Sequence, residues 1–593
     1  MNPDAGSITV IDGERLEKIT EITVGQEPWN LVISPDGQWV YVTDRALGAL
    51  IVIDAQNRAV IKTLSIGPEV NGIALSPTGE TAFIAVSSDA EVVILNLRTY
   101  EITERIAVDP QPYAIAVTND GDSRDDDEHV FVTHFQAFPQ PDGIEATDNG
   151  RVGRVTVLET ASQTISHQII LSPDSHGFPN LLAGLTIHEN QAWIPHVRAA
   201  PDLPNNLTTT VFAAVVVLDL DLMAEAPAKR LLLNDQDIFG SPVNDPLAAI
   251  PAPDGQHLYV ILAGSDLVEV VDIANPNQPQ LTKFLPTGKN PRGLALNPDG
   301  RRGYVLNYLS RSITVLDLEN LMVMTEIPVT DETLAPDIWR GKVLFNNAVN
   351  PKLSQGSWIS CASCHPDGGS DGVTWMFPDG PRQTPPLWNT GQTGPWHWSA
   401  ALDEPQDVEE TVQIIQHGLG LAPGIDPPQL GAPNAARSAD LDAMAAFITQ
   451  GIRVPNLPSP TADYAAGRAL FQSADCAVCH GGPTWTSSTM PGAAGTLDPD
   501  SNGMVDVVLR QVGTLNPRDI RGDTGFDPPS LLDVGLTAPY FHDGSMPSLE
   551  ALLTSGHPDP QGAGNGLNSE EAIILANFLR TIGLDTPSVD EAP

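Results

Sequence analysis

The chain has 593 residues, of which 41% are hydrophobic, and a formal net charge of -44 at pH 7. This length predicts two to four domains with ample apolar content for their cores. The acidic excess argues against nucleic acid and anionic membrane surfaces as partners. No apolar run approaches the roughly 18–20 residues of a membrane-spanning helix, and the opening residues, Met1 to Asp4, do not resemble a signal peptide.

A β-branched strand pattern recurs through the first part of the chain, with a period of mostly about 40 residues. Short strands separated by turn residues at this spacing are typical of β-propeller blades. The seven copies are Ile8–Asp12, Ile51–Asp54, Val92–Asn96, Val155–Glu159, Val215–Asp219, Val268–Asp272 and Ile313–Asp317.

Between the copies lies a second strand element that contains a Pro-Asp-Gly turn, clearest at Ser34–Asp44 and Asn297–Asn307. With Tyr41–Asp44 in the first of these, the region resembles the YVTN family of propellers. We therefore predict an all-β propeller over residues 1–332, with six full blades and an N-terminal half, Ile8–Val24. Seven blades, with the odd one closed by a strand from elsewhere in the chain, is the favoured arrangement, and six is the alternative.

Two histidines occupy the same position in adjacent predicted blades, His134 and His196. Equivalent positions in neighbouring blades predict that the two imidazoles lie near each other on one face. Ordinary hydrogen-bonded histidines are the alternative explanation.

The pattern Cys-x-x-Cys-His occurs twice and uses every cysteine of the chain. Two thiols one turn apart can form thioethers to a porphyrin edge, and the adjacent imidazole can bind the iron. A zinc ribbon would bring its two pairs within roughly 15–20 residues of each other, whereas these pairs are far apart. The pattern predicts two covalently bound haem c groups, held by Cys361, Cys364 and His365 and by Cys476, Cys479 and His480, with the histidines as proximal ligands.

Such haem attachment takes place outside the cytoplasmic membrane, so we expect a periplasmic or extracellular protein whose signal peptide is absent from the given chain. The expected partner is a redox protein, either basic or a haem or copper electron carrier.

The region around these motifs is duplicated. Helical patterns precede each motif and close each unit, and the Pro-rich stretch Val454–Pro460 is typical of a linker. This predicts two all-α cytochrome c-type domains over residues 333–457 and 458–593. Residues Pro386–Trp398 match Ser530–His542 with a constant offset, which pairs Trp398 with His542.

The segments Thr537–Ser545 and Leu549–Glu550, together with Trp398, resemble the bacterial di-haem cytochrome c peroxidase and MauG superfamily. The resemblance implies a sixth ligand to the second iron near His557, with Met546 as the rival. His417 corresponds to it in the first unit. It also implies that Trp398 bridges the haems, against plain core packing as the alternative.

The resemblance also makes His542 a candidate residue of the second haem pocket. Where peroxidases of the family carry an acidic residue on the distal side of the first haem, this chain has His417–Gly420. An iron bound by His417 would be closed to substrate.

These features favour electron transfer through two haems, with the propeller as docking platform. The alternative is a MauG- or peroxidase-like oxidoreductase that acts on peroxide or on a protein or small-molecule substrate. A third hypothesis makes the propeller the binding module and the haems an accessory relay.

One loop is independent of this resemblance. Its oxygen-bearing residues follow the spacing of an EF-hand-like calcium loop, with Gly503 at the sharp turn but Leu509 in place of the bidentate glutamate. A calcium site or a metal-free acidic turn is predicted here, formed by Asp498, Asp500, Asn502 and Asp506.

Overall fold

The computed structural model describes residues 1–233, 242–275, 278–377, 380–424, 432–488, 509–514, 525–557 and 566–589. A region of strands comes first and ends at Pro328, and a region of short helices begins at Pro336. Within the described ranges, no helix has both the length and the apolar character needed to cross a bilayer.

The strand region contains six antiparallel sheets of four or more strands, in chain order, as expected for propeller blades. The first three are blade 1 with β3 (Pro28–Ile33), β4 (Trp39–Asp44), β5 (Ala49–Asp54) and β6 (Ala59–Ser65); blade 2 with β7 (Val70–Leu75), β8 (Thr81–Val86), β9 (Glu91–Asn96) and β10 (Glu101–Ala107); and blade 3 with β11 (Pro112–Val117), β12 (His129–His134), β13 (Phe138–Pro139), β14 (Arg151–Glu159) and β15 (Thr164–Leu171).

The next three sheets are blade 4 with β16 (Phe178–Asn180), β17 (Thr186–His188), β18 (Gln191–Ala199), β19 (Val211–Asp219), β20 (Ala224–Glu225) and β21 (Leu231–Leu232); blade 5 with β22 (Pro246–Pro251), β23 (His257–Leu262), β24 (Leu267–Asp272) and β25 (Gln280–Pro286); and blade 6 with β26 (Pro291–Leu296), β27 (Arg302–Asn307), β28 (Ser312–Asp317) and β29 (Met322–Pro328). The third strand of each four-stranded blade is rich in Val, Ile and Leu because both of its faces are buried, as in β5 and β9.

An N-terminal hairpin lies between the last blade and the first. Its strands are β1 (Ser7–Asp12) and β2 (Glu17–Thr23). The Thr9 hydroxyl donates to Val329 O at 3.0 Å, just past blade 6, and Ile8 packs in one cluster with Val42 and Ile51 of blade 1. The hairpin therefore fills a seventh blade position with two strands. Among the described residues, no further strand pairs with it, so the predicted closing strand is not found there.

The helical region forms two units of similar design. The first contains α1 (Pro336–Phe345), α2 (Cys361–Cys364), α3 (Val408–Ile414) and α4 (Ala439–Ala446), with a short hairpin of β30 (Thr374–Phe377) and β31 (Gly380–Gln383). The second contains α5 (Tyr464–Ser473), α6 (Ala477–His480), α7 (Leu549–Thr554) and α8 (Ser569–Leu579). Short 3-10 or π turns lie at Pro3–Ala5, Pro227–Lys229, Ala263–Ser265, Gln355–Ser357, Pro366–Gly368, Thr390–Gln392, Pro405–Asp407, Phe447–Gly451 and Val534–Leu536.

Each unit is closed by a pair of helices that cross at a glycine. In the first unit, a Cβ on Gly341 would lie 2.0 Å from Ala443 O; in the second, one on Gly467 would lie 2.7 Å from Ile574 O. Only glycine permits such a close approach of two helix backbones. Phenylalanines pack beside both crossings and complete the cores.

The duplicated segments of the two units contact each other. Asn389 and Asp533 are equivalent, both adopt the left-handed conformation, and the Asn389 Nδ2 donates to Asp533 Oδ2 at 2.6 Å. Trp398 and His542 are also equivalent, and their ring centres are 6.5 Å apart. Equivalent residues can touch only near a two-fold axis, so a local pseudo-two-fold axis relates the segments.

The Asn389–Asp533 contact predicts a pH dependence. Burial raises the pKa of Asp533 from 3.8 to about 7, and the Asn389 bond only partly opposes it. Between pH 3.8 and about pH 7, the Asp533 carboxyl is therefore protonated in the folded state and ionised in the unfolded state. This contribution to stability is full below pH 3.8 and is lost as pH rises towards 7.

We expect Asp533→Asn to remove this loss, which amounts to at most about 4 kcal/mol at roughly 1.4 kcal/mol per pKa unit. Urea unfolding at pH 5 and pH 7.5 measures it, with the exposed Asp585→Asn as control. An unchanged pH slope in Asp533→Asn would contradict the assignment.

Candidate haem sites

The first Cys-x-x-Cys-His motif forms the short helix α2 and the turn after it. Ser360 caps the helix through a reciprocal pair of contacts with Ser363, which fixes the spacing of Cys361 and Cys364. The His365 Nδ1 lies 3.1 Å from Gly369 O. This contact orients the ring through Nδ1, so Nε2 would be the ligand atom.

The second motif has the same arrangement on α6. The His480 Nδ1 lies 3.0 Å from Pro529 O. Burial, reinforced by His557, lowers the pKa of His480 to about 4, and burial lowers that of His365 to about 4 as well. Both imidazoles are therefore neutral near pH 7, which is the form that binds a metal.

His557 faces His480, the predicted proximal histidine of the second unit. The ring centres of His480 and His557 are 6.4 Å apart and the rings are tilted by 40°. Stacked rings in direct contact are much closer, as Phe526 and His542 are at 3.8 Å. A separation of this size leaves room for one metal ion bound by a nitrogen from each ring at about 2 Å. The residues present therefore fit a haem iron held between two imidazoles.

Two further properties suit His557 to this role. Burial lowers its pKa to about 4, and its buried Nδ1 has no hydrogen-bond partner among the described residues. Met546, the rival ligand, packs against the core of the second unit, and its backbone pairs with that of Tyr540.

The first unit does not repeat this arrangement. His417 is exposed, and its Nε2 lies 3.3 Å from Asn205 O in a propeller loop. The ring is thus directed towards blade 4, and the chain turns at His417 with a φ of 55°. Within the described ranges, no ring contact joins His417 and His365 as one joins His480 and His557. His417 as a distal ligand stays a prediction.

The neighbouring Gln416 points inward instead. It is 4% exposed, and its Nε2 lies 3.4 Å from the Sγ of Cys361. Its Oε1 is buried and has no hydrogen-bond partner in the described part of the chain. Gln416 stands as far beyond Glu409 in sequence as His557 stands beyond Glu550. The count from these helix starts therefore could have identified Gln416 as the counterpart of His557.

A second residue missed from the sequence is His397. It lies close enough to His365 to help lower the pKa of that imidazole, after the larger effect of burial. Its duplicate is Phe541, whose ring centre is 5.5 Å from that of His557; the two have φ angles of 64° and 66°. The duplication that pairs Trp398 with His542 also pairs His397 with Phe541, so it could have identified His397 from the sequence.

Trp398 and His542 lie between the units. The Trp398 indole donates to Gln383 O at 3.0 Å, and the Gln383 N–H donates to His542 O. His542 is buried, and its ring nitrogens lie 3.2 Å from Pro381 O and 3.1 Å from Thr514 O. His542 is therefore held at the contact between the units, beside Trp398.

The two propeller histidines each bond to groups of their own surroundings. His134 Nδ1 and Nε2 lie 2.9 Å from Pro110 O and 2.8 Å from Thr156 Oγ1, so both nitrogens are occupied. His196 is buried in blade 4, with Nδ1 3.2 Å from Ile194 O. No ring contact joins them in the described structure. The predicted calcium loop, Asp498 to Asp506, lies outside the described residues.

Family models match two parts of the chain. Residues 525–559 match the model described as RoxA-like, cytochrome c-like, and residues 246–347 match that of the lactonase seven-bladed β-propeller.

Among curated proteins, the chain is similar to the methylamine utilization protein MauG of Methylorubrum extorquens, at 27% identity over 38% of this chain and 69% of that protein. It is also similar to the cytochrome c551 peroxidase of Nitrosomonas europaea, at 26% identity over 42% of this chain and 80% of that protein. A solved structure of Kuenenia stuttgartiensis hydrazine synthase matches with a TM-score of 0.45 and 19% identity over 53% of this chain and 90% of that one, too weakly to support an argument.

Fold and motifs define the class: a β-propeller joined to a c-type cytochrome. More particularly, the chain is a propeller fused to a domain like those of cytochrome c peroxidase and MauG, proteins that imply covalently bound haem c.

The position of His557 predicts a spectroscopic change. We expect His557→Ala to convert the second ferric haem from low spin to high spin, because one axial imidazole is lost. Low-temperature EPR measures this, and Met546→Leu is the matched control that should leave the signal intact. If Met546→Leu, and not His557→Ala, converted the second haem to high spin, the Met546 thioether would be the ligand.

Proposed function

We propose that the chain is a di-haem c-type oxidoreductase of the peroxidase or MauG kind. Cys476, Cys479, His480 and His557 would hold the second haem, which would supply electron storage and relay. Cys361, Cys364 and His365 would hold the first haem, where Gln416 in place of a second imidazole would leave room for a small oxidant such as peroxide. When bound, the haem supplies the one-electron and oxygen chemistry that side chains lack.

The asymmetry between the units carries this proposal. In the second unit an imidazole faces the proximal histidine at 6.4 Å between ring centres. In the first unit the corresponding inward residue is Gln416, and His417 is turned to Asn205 O. A carboxamide is a poor iron ligand compared with imidazole, so one site is closed and the other is open.

Gln416 supplies suitable groups for a small polar ligand. Its amide offers two donor hydrogens and an acceptor oxygen, and that oxygen is buried without a partner in the described structure. A hydrogen peroxide molecule could donate to Oε1 and accept from Nε2. The amide orients such a ligand and carries no proton of its own to transfer near pH 7, so proton transfer must come from another group or from water.

His397 is a titratable candidate for that role. It lies near His365 and is exposed, so it can exchange protons with solvent. Its duplicate Phe541 flanks His557 in the closed site. The exchange of phenylalanine for histidine at this position gives the first site an acid–base group that the second lacks.

The second candidate function is electron transfer without oxidant chemistry, with the propeller as docking platform. The closed second site and the net charge of -44 favour it, since an acidic surface suits a basic redox partner. A periplasmic or extracellular location fits either function, because c-type haem is attached there.

Ferric spin state distinguishes the two functions. We expect low-temperature EPR to show a high-spin ferric haem, either beside a low-spin ferric haem in the isolated protein or as the remaining ferric signal after addition of one electron. Azide should bind to the high-spin haem alone. Only low-spin signals in both states would refute the open site and leave electron transfer.

Variants of the first unit sharpen this test. His417→Ala should leave both signals unchanged, whereas Gln416→His should convert the high-spin haem to low spin. Gln416→Ala should weaken azide binding about fivefold, the equivalent of one hydrogen bond of about 1 kcal/mol. Conversion of the spectrum by His417→Ala would instead make His417 the ligand.

Trp398 is proposed to bridge the haems. Its indole is 6.5 Å from the His542 ring at the pseudo-two-fold axis and is fixed by Gln383 O. We expect Trp398→Phe, which keeps an aromatic ring but loses the indole, to slow inter-haem electron transfer by on the order of tenfold, or about 1.4 kcal/mol in barrier.

Rapid reduction followed at the two haem absorbances measures this rate. His542→Gln, which keeps a polar group at the partner position, shows whether the contact itself is required. An unchanged rate in Trp398→Phe would leave Trp398 a packing residue.

A further inference from the structure

The first haem-binding segment, residues 360–371, lies against the propeller. Side chains from five blades bond to it or to its flanks. They are Arg45 after β4 of blade 1, Gln136 after β12 of blade 3, Asn180 in β16 of blade 4, Asn244 before β22 of blade 5 and Arg292 in β26 of blade 6. Because the blades surround the propeller axis, these contacts converge on the segment from around that axis.

Asn244 fixes the helix that carries the two cysteines. It is 1% exposed, and its Nδ2 donates to Ser363 Oγ at 2.9 Å and to Trp358 O at 3.1 Å. Ser363 lies between Cys361 and Cys364 and also accepts from the Ser360 N–H at 3.0 Å. A propeller side chain thus completes the cap of α2.

Two arginines fix the turn after the proximal histidine. Arg292 Nη2 donates to Asp367 Oδ1 at 2.9 Å, and Arg45 Nη1 lies 3.5 Å from Asp367 Oδ2. Both guanidinium groups also face the Trp29 ring, at 5.6 and 4.1 Å from its centre. The arginine side chains are 16% and 12% exposed, so they are held in place and not free to reorient.

This turn determines how His365 is oriented. Asp367 has a φ of 49°, and the Gly368 N–H donates to His365 O at 2.9 Å. The turn brings Gly369 O to 3.1 Å from His365 Nδ1. A displaced Asp367 would move the carbonyl that orients the imidazole.

Further along the segment, Gln136 Nε2 donates to Ser370 O at 2.7 Å and Asn180 Nδ2 donates to Asp371 O at 2.9 Å. Apolar side chains of blades 3 and 4 pack with Trp358, Ile359 and Cys364 in one cluster. Among the described residues, the second motif has no hydrogen bond to the propeller; His480 is oriented by Pro529 of its own unit.

We propose that the propeller is part of the first haem site and that Arg292, with Arg45, is a positioning residue that orients His365 through Asp367. The second haem site does not depend on the propeller. This role is independent of which reaction the first haem carries out, and it requires only that haem is attached at His365.

The test uses the full-length ferric holoprotein with Arg292→Ala and measures both haems by EPR and by redox titration. We expect the single first-haem species to be lost or split and its midpoint potential to shift. The second-haem signal and potential should stay unchanged and serve as the internal reference. The exposed Arg301→Ala, in the same blade, is the matched control.

His557→Ala assigns the EPR signals, because it alters only the second haem. The signals of the two haems can therefore be distinguished even if both haems are low-spin and the proposed open site is wrong. If Arg292→Ala does not fold, Arg292→Lys and Asp367→Asn, which keep the size of the side chain, provide the test. First-haem spectra and potential identical to the wild type in a folded variant, or equal changes in both haems, would overturn the proposal.

Discussion

The two copies of the duplicated segment touch across a local pseudo-two-fold axis, and this contact sets the frame for both haem sites. Asn389 binds Asp533, and Trp398 faces His542. Each pair consists of equivalent positions, so the backbone frame around the two motifs is alike. A functional difference between the sites can therefore come from side chains that differ within the frame, such as His397 at the position equivalent to Phe541, and from the propeller contacts of the first site.

Much of this frame could be predicted from sequence because its signals are local. The Cys-x-x-Cys-His motif specifies its chemistry within five consecutive positions, and strand periodicity marks the blades. The choice between Gln416 and His417 could not be made from spacing alone. These neighbours differ by one position at a helix end, and the turn at His417 directs the Gln416 side chain to Cys361 and the His417 side chain to Asn205 of the propeller. Packing of the whole unit decides such a turn.

The contacts between the propeller and residues 360–371 could not be predicted from the sequence for a different reason. Asn244 and Ser363 are 119 residues apart, and Asn180 and Asp371 are 191 apart. Their side chains are ordinary polar residues with no pattern of their own. Even the stretch Val454–Pro460, typical of a linker by composition, is bound to the propeller, where the Asn456 N–H donates to Glu69 Oε1 at 2.7 Å. A fold can thus assign a fixed place to a segment whose composition indicates mobility.

The N-terminal hairpin also constrains the order in which the chain can mature. Its partners include Val329 and Thr330, and Asp4 contacts Arg311 and Lys342. The hairpin precedes these partners in the chain, so it cannot dock until almost the whole propeller has been synthesised. The ring closes only when residues beyond 340 are available, shortly before Cys361 appears. Closure of the ring also completes the propeller surface that contacts residues 360–371. The time of closure therefore limits how long Cys361 and Cys364 stay accessible to the machinery that attaches haem.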